Sequence, residues 1–172
     1  DHNAKFLDYG GGYGLFVRLM RDKGFDFFWE DKYCDNIFAQ GFEFKSKLHS
    51  PILLITAFEL FEHFSNPIEE IEKMLKVSSN ILFSTQLLPP NNPKPSEWWY
   101  FTPHEGQHIS IFTKQALEII ADQYNLNLYT DGSSLHLLTD RTFSVDIFEK
   151  LKEGDINIPN KTSLLPNDYQ KV

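Results

Sequence analysis

Apolar residues recur along this chain in two rhythms, and their order predicts the fold. Lys5 to Asp8 is a short apolar run that stops at glycines, after which Leu15, Phe16, Leu19 and Met20 return at helical spacing. This reads as strand, tight turn, helix. Gly24 ends that helix, and Phe25 to Trp29 is an aromatic-rich strand closing on Glu30 and Asp31. Gly41 to Phe44 has room for a short third strand, and Pro51 leads into a strongly apolar fourth, Ile52 to Thr56. Pro67 opens a helix with Ile68, Ile71, Met74 and Leu75 on one face, followed by a fifth strand over Asn80 to Ser84.

The second half carries the same alternation with more interruptions. Four prolines between Leu87 and Trp99 (Pro89, Pro90, Pro93 and Pro95) cannot donate to a ladder, so this stretch is a loop. Thr113 is placed to cap a helix whose Ala116, Leu117, Ile119 and Ile120 face inward. Leu126 to Thr130 and Leu135 to Thr139 flank Asp131-Gly132 as a hairpin. Phe143, Ile147, Phe148 and Leu151 suggest a last amphipathic helix, with a tail beyond it. Repeated strand-helix alternation implies a parallel sheet with right-handed crossovers and helices on both faces. The expected class is α/β: a doubly wound, Rossmann-like, seven-stranded and mostly parallel sheet with an antiparallel edge hairpin. Ligands of such sheets bind at the carboxyl ends of the strands.

Composition narrows the function. The chain has 172 residues, 41% of them hydrophobic, enough for one domain, expected over 1–156 with a tail over 157–172. A net charge of -8 without clustered Lys and Arg argues against nucleic acid and anionic membranes as partners. Cys34 is the single cysteine, which excludes a disulfide framework within the chain and a cysteine-based zinc site. No metal ligand set is read from the sequence, and a cytoplasmic location is the expectation.

The chemistry concentrates in the glycine-rich turn. A turn of this kind between strand and helix lets a ligand approach the backbone, because no side chains fill the space. The dinucleotide fingerprint needs a glycine at its sixth position, where counting from Gly10 gives Leu15. A phosphate loop needs Gly-Lys-Ser or Gly-Lys-Thr, and this turn ends Gly14-Leu15-Phe16. What remains, Asp8-x-Gly10-x-Gly12-x-Gly14, resembles the first motif of class I S-adenosylmethionine-dependent methyltransferases. Thr56 to His63, followed by Asn66-Pro67, resembles the segment after their fourth strand, ending in Glu-His. Gly106-Gln107-His108-Ile109 with Phe112-Thr113 resembles a subgroup found near sugar and surface-glycan pathways, of the methyltransferase type 11 and 23 kind.

That resemblance implies S-adenosyl-L-methionine as cofactor, S-adenosyl-L-homocysteine as product, and a small-molecule or sugar acceptor methylated on oxygen or carbon. The cofactor's methionine part would lie over Tyr9, Gly10, Gly12 and Gly14, with Asp8 helping to hold its ammonium. Asp31, or Glu30 on the opposite face, would accept hydrogen bonds from the ribose hydroxyls, since one carboxylate can take two side by side. Glu43 is the candidate for the adenine, with Phe42 or Phe44 to pack on the ring. Thr56, Ala57 and Phe58 would line the methionine side, and His63 would be structural. A hydroxyl or carbon acceptor needs a base, for which His108 or His104 is available. Trp98, Trp99 and Tyr100 are read either as a lid or as cover for a core edge. A non-catalytic scaffold that keeps the cofactor fold is the alternative reading.

Overall fold

The computed structural model describes residues 4–45, 51–154 and 161–170. Two compact units emerge, one from residues 1–57 with 156–172, the other from 58–155. The domain boundary expected at 156, and tail residues 157–160 and 171–172, lie outside the described residues.

In the first unit, β1 (Lys5–Tyr9), β2 (Asp26–Glu30) and β3 (Ile52–Ala57) pair in parallel with β1 in the middle. Helix α1 (Leu15–Asp22) joins β1 to β2. Leu7, Val17, Phe27, Ile55 and Ala57 form the buried interior. Aromatic area does much of this packing: Phe6 stacks on Phe27 at 4.9 Å, and Phe16 meets Phe27 edge-on at 5.4 Å.

In the second unit, α2 (Pro67–Leu75) and α3 (Lys114–Gln123) accompany β4 (Ile81–Ser84), β5 (Asn127–Thr130) and β6 (Leu135–Thr139), with β6 antiparallel to both other strands. Helix α4 (Ile147–Glu153) buries Phe148. The helix starts follow the sequence signals: Pro67 begins α2 behind an Asn66 cap, and the Thr113 hydroxyl accepts from Ala116 N at 3.1 Å. The Asp131 carboxylate closes the β5–β6 turn by accepting from Ser133, Ser134 and Leu135. Phe61 and Phe83 stack at 3.9 Å, with Ile71, Met74, Leu117 and Leu138 fully buried.

The fold is therefore the expected mixed α/β class with an antiparallel edge, but the described residues form six strands, three in each unit, where seven were expected. The stretch 41–44 forms a single parallel bridge, Glu43 to Trp29. Trp29 N donates to Phe42 O and Phe44 N donates to Trp29 O, and pairing stops there. Two helix faces also differ from the pattern. On α1, Val17 and Arg21 point inward, flanked by Phe16 and Met20, while Leu15 and Leu19 are more than half exposed. On α3, Leu117, Ile120 and Ala121 are buried and Ile119 is 59% exposed.

Arg21 explains the turn of α1. Its guanidinium is buried and holds Asp168 through two hydrogen bonds of 2.7 and 2.9 Å, Asp26 at 2.6 Å and the Phe27 carbonyl at 2.8 Å. Its flat face lies 3.7 Å from the Phe42 ring. Asp168, itself buried, ends the short α5 (Leu165–Asp168), so the described tail segment 161–170 is anchored to the first unit. Asp168→Ala leaves a buried guanidinium short of its main partner and is expected to cost about 3 kcal/mol by urea denaturation. The Arg21→Met, Asp168→Leu pair should recover most of that loss, because neither charge is then stranded.

Candidate functional site

The carboxyl ends of β1 and β2 converge on the glycine turn, and three consecutive residues of the second chain segment hold it. The Glu30 carbonyl accepts from Gly10 N at 2.8 Å and Gly11 N at 3.1 Å. The Trp29 indole donates to Gly12 O at 2.8 Å. The Asp31 carboxylate accepts from Gly12 N at 2.9 Å and also from Tyr33 N and Cys34 N. Gly14 N donates to Gly11 O, which closes the turn as α1 begins.

The close packing explains a glycine the motif reading passed over. A Cβ on Gly11 would stand 2.8 Å from Trp29 Cδ1 and 2.9 Å from Asp8 Oδ2. At Gly14 the backbone φ of +85° puts the residue in the left-handed region, and a Cβ would meet Asn36 Oδ1 at 2.6 Å. The amides of Gly10, Gly11, Gly12 and Gly14 all donate within the protein. The turn is thus a floor that a ligand can lie on, and its glycine amides do not form a phosphate cradle.

Carboxylates surround that floor. Asp8 is buried, and its Oδ1 accepts from the Thr56 hydroxyl at 2.6 Å. Burial raises its pKa to about 6; the Thr56 hydrogen bond opposes the rise and the charge of Asp31 adds to it. Burial likewise raises the Glu30 pKa. Asp8, Tyr9, Gly10, Gly12, Gly14, Glu30, Asp31, Thr56 and Ala57 are thereby brought to the ends of β1, β2 and β3. Two acids, Asp8 and Asp31, with carboxylates against a backbone floor favour a ligand carrying positive charge.

Other candidates have contacts of their own within the protein. Glu43 accepts from Asn36 Nδ2 at 2.8 Å and Gly41 N at 3.2 Å, so it braces the 36–43 loop. Phe42 packs into the core under Arg21, which occupies the ring face that an adenine would need. Phe58 begins the second unit and is half-buried. Trp29, which the motif pattern does not single out, belongs to the frame of the turn. Its signal was position, since the side chain at the end of an edge strand stands beside the turn that follows the neighbouring strand.

In the second unit, His108 Nδ1 lies 2.6 Å from Tyr100 O, and His63 Nδ1 lies 3.0 Å from Gln107 O. A carbonyl only accepts, so each Nδ1 carries the hydrogen and each Nε2 keeps a lone pair in the neutral ring. The two rings meet edge-on at 4.9 Å. His63 is exposed at the end of a single 3₁₀ turn, Phe61–His63, and His104 is exposed in a turn. The aromatic cluster divides: Tyr100 is fully buried, Trp98 packs on Tyr100 and Phe101, and Trp99 is 73% exposed. Among the described residues no helix is long and apolar enough to cross a membrane.

No curated protein matches the chain. Among solved structures it is similar to OxaC in complex with sinefungin and meleagrin, with 15% identity and a TM-score of 0.54 over 82% of this chain and 44% of that one. It is similar to the plantazolicin methyltransferase BpumL in complex with SAH, with 16% identity and a TM-score of 0.59 over 80% of this chain and 76% of that one. CalO1, a methyltransferase in calicheamicin biosynthesis, matches with 13% identity and a TM-score of 0.56 over 82% of this chain and 50% of that one. The chain thus spans about half the length of OxaC and CalO1. At these identities the likeness establishes the fold. A family model described as a methyltransferase domain matches residues 1–131, three quarters of the sequence, and the chain belongs to that methyltransferase family.

Proposed function

We propose that the chain binds S-adenosyl-L-methionine on the glycine floor of the first unit and transfers its methyl group to a small-molecule or sugar acceptor. One observation carries the reading: a turn whose glycine amides are internally bonded lies against the carboxylates of Asp8 and Asp31. S-adenosylmethionine brings an ammonium and a sulfonium to such a site, and no phosphate. Three of the similar structures carry sinefungin or SAH, which supports the same cofactor.

Asp8 is assigned to the ammonium and Asp31 to the ribose hydroxyls, with Tyr9, Gly10, Gly12 and Gly14 beneath the methionine part. Thr56 holds the Asp8 carboxylate in place. Ala57, the last residue of β3, lines the methionine side in the same unit. Glu30, whose carboxyl pKa is raised by burial, is the alternative to Asp31 for the ribose hydroxyls. Glu43 acts on adenine only through the loop it braces. Methyl transfer is an in-line displacement at the sulfonium carbon, so positioning supplies most of the acceleration. For a hydroxyl acceptor, His108 is the candidate base through its Nε2 lone pair.

Calorimetric titration of the folded protein with S-adenosylhomocysteine tests this directly. Binding is expected, weakened at least tenfold by Asp31→Ala. Absence of binding to the wild-type protein removes the proposal. Methyl transfer is then read from labelled S-adenosylmethionine across hydroxylated small molecules and sugars.

Gly11→Ala drives a Cβ into Trp29 and Asp8, so it should lower stability by about 1–3 kcal/mol and weaken cofactor binding. Differential scanning and titration of the same sample measure both.

Asp8 makes the site pH-dependent. With a free-protein pKa of about 6, it is mostly protonated at pH 5 and ionised at pH 7.5. Pairing with an ammonium requires the ionised form, so affinity should rise roughly tenfold between those pH values. The stability of the free protein moves the other way. Because the folded pKa lies above the unfolded value of 3.8, the contribution of Asp8 is full below that value and is lost as pH rises through 6. The loss between pH 5 and 7.5 is on the order of 1 kcal/mol. Asp8→Asn should flatten both profiles, and an unchanged binding profile in that variant would sink the assignment.

A further inference from the structure

We propose that Glu62, His63 and His108 form a binding site in the second unit for a divalent first-row transition-metal ion. The starting point is Glu62, whose side chain is completely buried and whose two carboxylate oxygens have no hydrogen-bond partner. A carboxylate removed from water without a partner is costly, and such groups are paired, protonated or bound to metals. The Tyr100 hydroxyl bonds with Thr85 and also interacts with the Glu62 carboxylate, which helps to raise the tyrosine pKa behind the larger effect of burial, but this contact falls short of full hydrogen-bond geometry at either Glu62 oxygen.

What surrounds Glu62 is the donor set of a metal site. One ligand-type atom from each of Glu62, His63 and His108 lies within 4.8 Å of the other two. Both histidines donate their Nδ1 hydrogen to a backbone carbonyl, Gln107 O for His63 and Tyr100 O for His108. That outer hydrogen bond fixes the ring and the tautomer and leaves Nε2 as a ligand, the usual arrangement of metal-bound imidazoles. The scaffold beneath is rigid: Ile109 N and Ser110 N both donate to Glu62 O, and the Ser110 hydroxyl donates to Phe64 O at 2.6 Å. The segment that carries His108 is therefore stitched to the turn that carries Glu62 and His63.

Two imidazoles and one carboxylate suit Mn²⁺, Fe²⁺, Co²⁺ or Zn²⁺ better than Ca²⁺ or Mg²⁺, which prefer all-oxygen sites. Burial grades from Glu62 through half-buried His108 to exposed His63, so an ion can enter from solvent and keep open coordination positions. Oxygen ligands fill those positions, and a hydroxyl bound there loses its proton more readily. That use of the ion rests on the methyl-transfer reading; the binding itself does not. With an ion in place His108 is a ligand, and its lone pair no longer serves as a base.

The test uses the full chain stripped of metal with a chelator and titrated with Co²⁺, followed by visible absorption and by thermal unfolding. One equivalent with d–d bands and a rise of several degrees in Tm is expected, with Zn²⁺ and Mn²⁺ competing. Glu62→Gln, His63→Ala and His108→Ala should each weaken binding at least tenfold, while His104→Ala, an exposed histidine outside the cluster, should not. S-adenosylhomocysteine titration of each variant reports whether it is folded. It also separates the two proposals, since the cofactor can fail to bind while Co²⁺ still does. No Co²⁺ binding by the wild-type chain overturns the site. So does Glu62→Gln raising Tm with Co²⁺ affinity unchanged, the result expected of a carboxyl that is simply buried and neutral.

Discussion

Everything in the first unit that bears on a ligand depends on how β2 grips the turn that follows β1. Three successive residues do this with three different groups: the Trp29 indole, the Glu30 carbonyl and the Asp31 carboxylate. The turn has few side chains of its own with which to hold a shape, and glycine is the residue most costly to order. External hydrogen bonds supply the constraint. They also use the donors that would otherwise attract an anion. The same contacts that make the turn rigid therefore select against phosphate and for a ligand that can lie against the backbone.

Burial of Asp8 follows from that grip. Its carboxylate sits beneath Gly11, with space so limited that one methyl group at that glycine would touch it. A carboxyl held in such a place, with Asp31 nearby, is poorly stabilised as an anion until a cation arrives. Electrostatic strain in the free protein and attraction for an ammonium are two aspects of one arrangement.

Much of this was legible in the sequence because it is local. The Pro67 helix start, the Thr113 cap, the hairpin at Asp131 and the acid-glycine spacing are set by residues a few positions apart, and the structure has each of them. What escaped is set by partners distant in the chain. Arg21 faces inward on α1 because Asp168 reaches it from the other end of the sequence, and that pair turns Leu15 and Leu19 outward. Phe42 reads as a free aromatic until Arg21 is seen lying on it. The third strand shrank to one bridge because Glu43 and Phe42 make side-chain contacts that fold 36–43 back as a loop. The glycine spacing alone left Gly11 unremarked, since its requirement comes from Trp29 and not from the backbone.

The second unit shows why an unpartnered acid is informative only against a satisfied background. His136 is as deeply buried as Glu62, yet both its nitrogens are used: Nε2 donates to Thr85 O and Nδ1 accepts from Thr130, and burial lowers its pKa so that the ring stays neutral. Thr139 bonds Asn80, and Tyr100 bonds Thr85. Among the described residues only the two oxygens of Glu62 and the Thr102 hydroxyl lack a partner while buried. A core that pairs its other polar groups so thoroughly has the means to pair a carboxylate. Leaving one bare beside two imidazoles with matching tautomers is the arrangement in which an ion completes the hydrogen-bonding account. Both units, in a chain of net charge -8, thus bury an acid whose charge a cation would relieve, Asp8 in the first and Glu62 in the second.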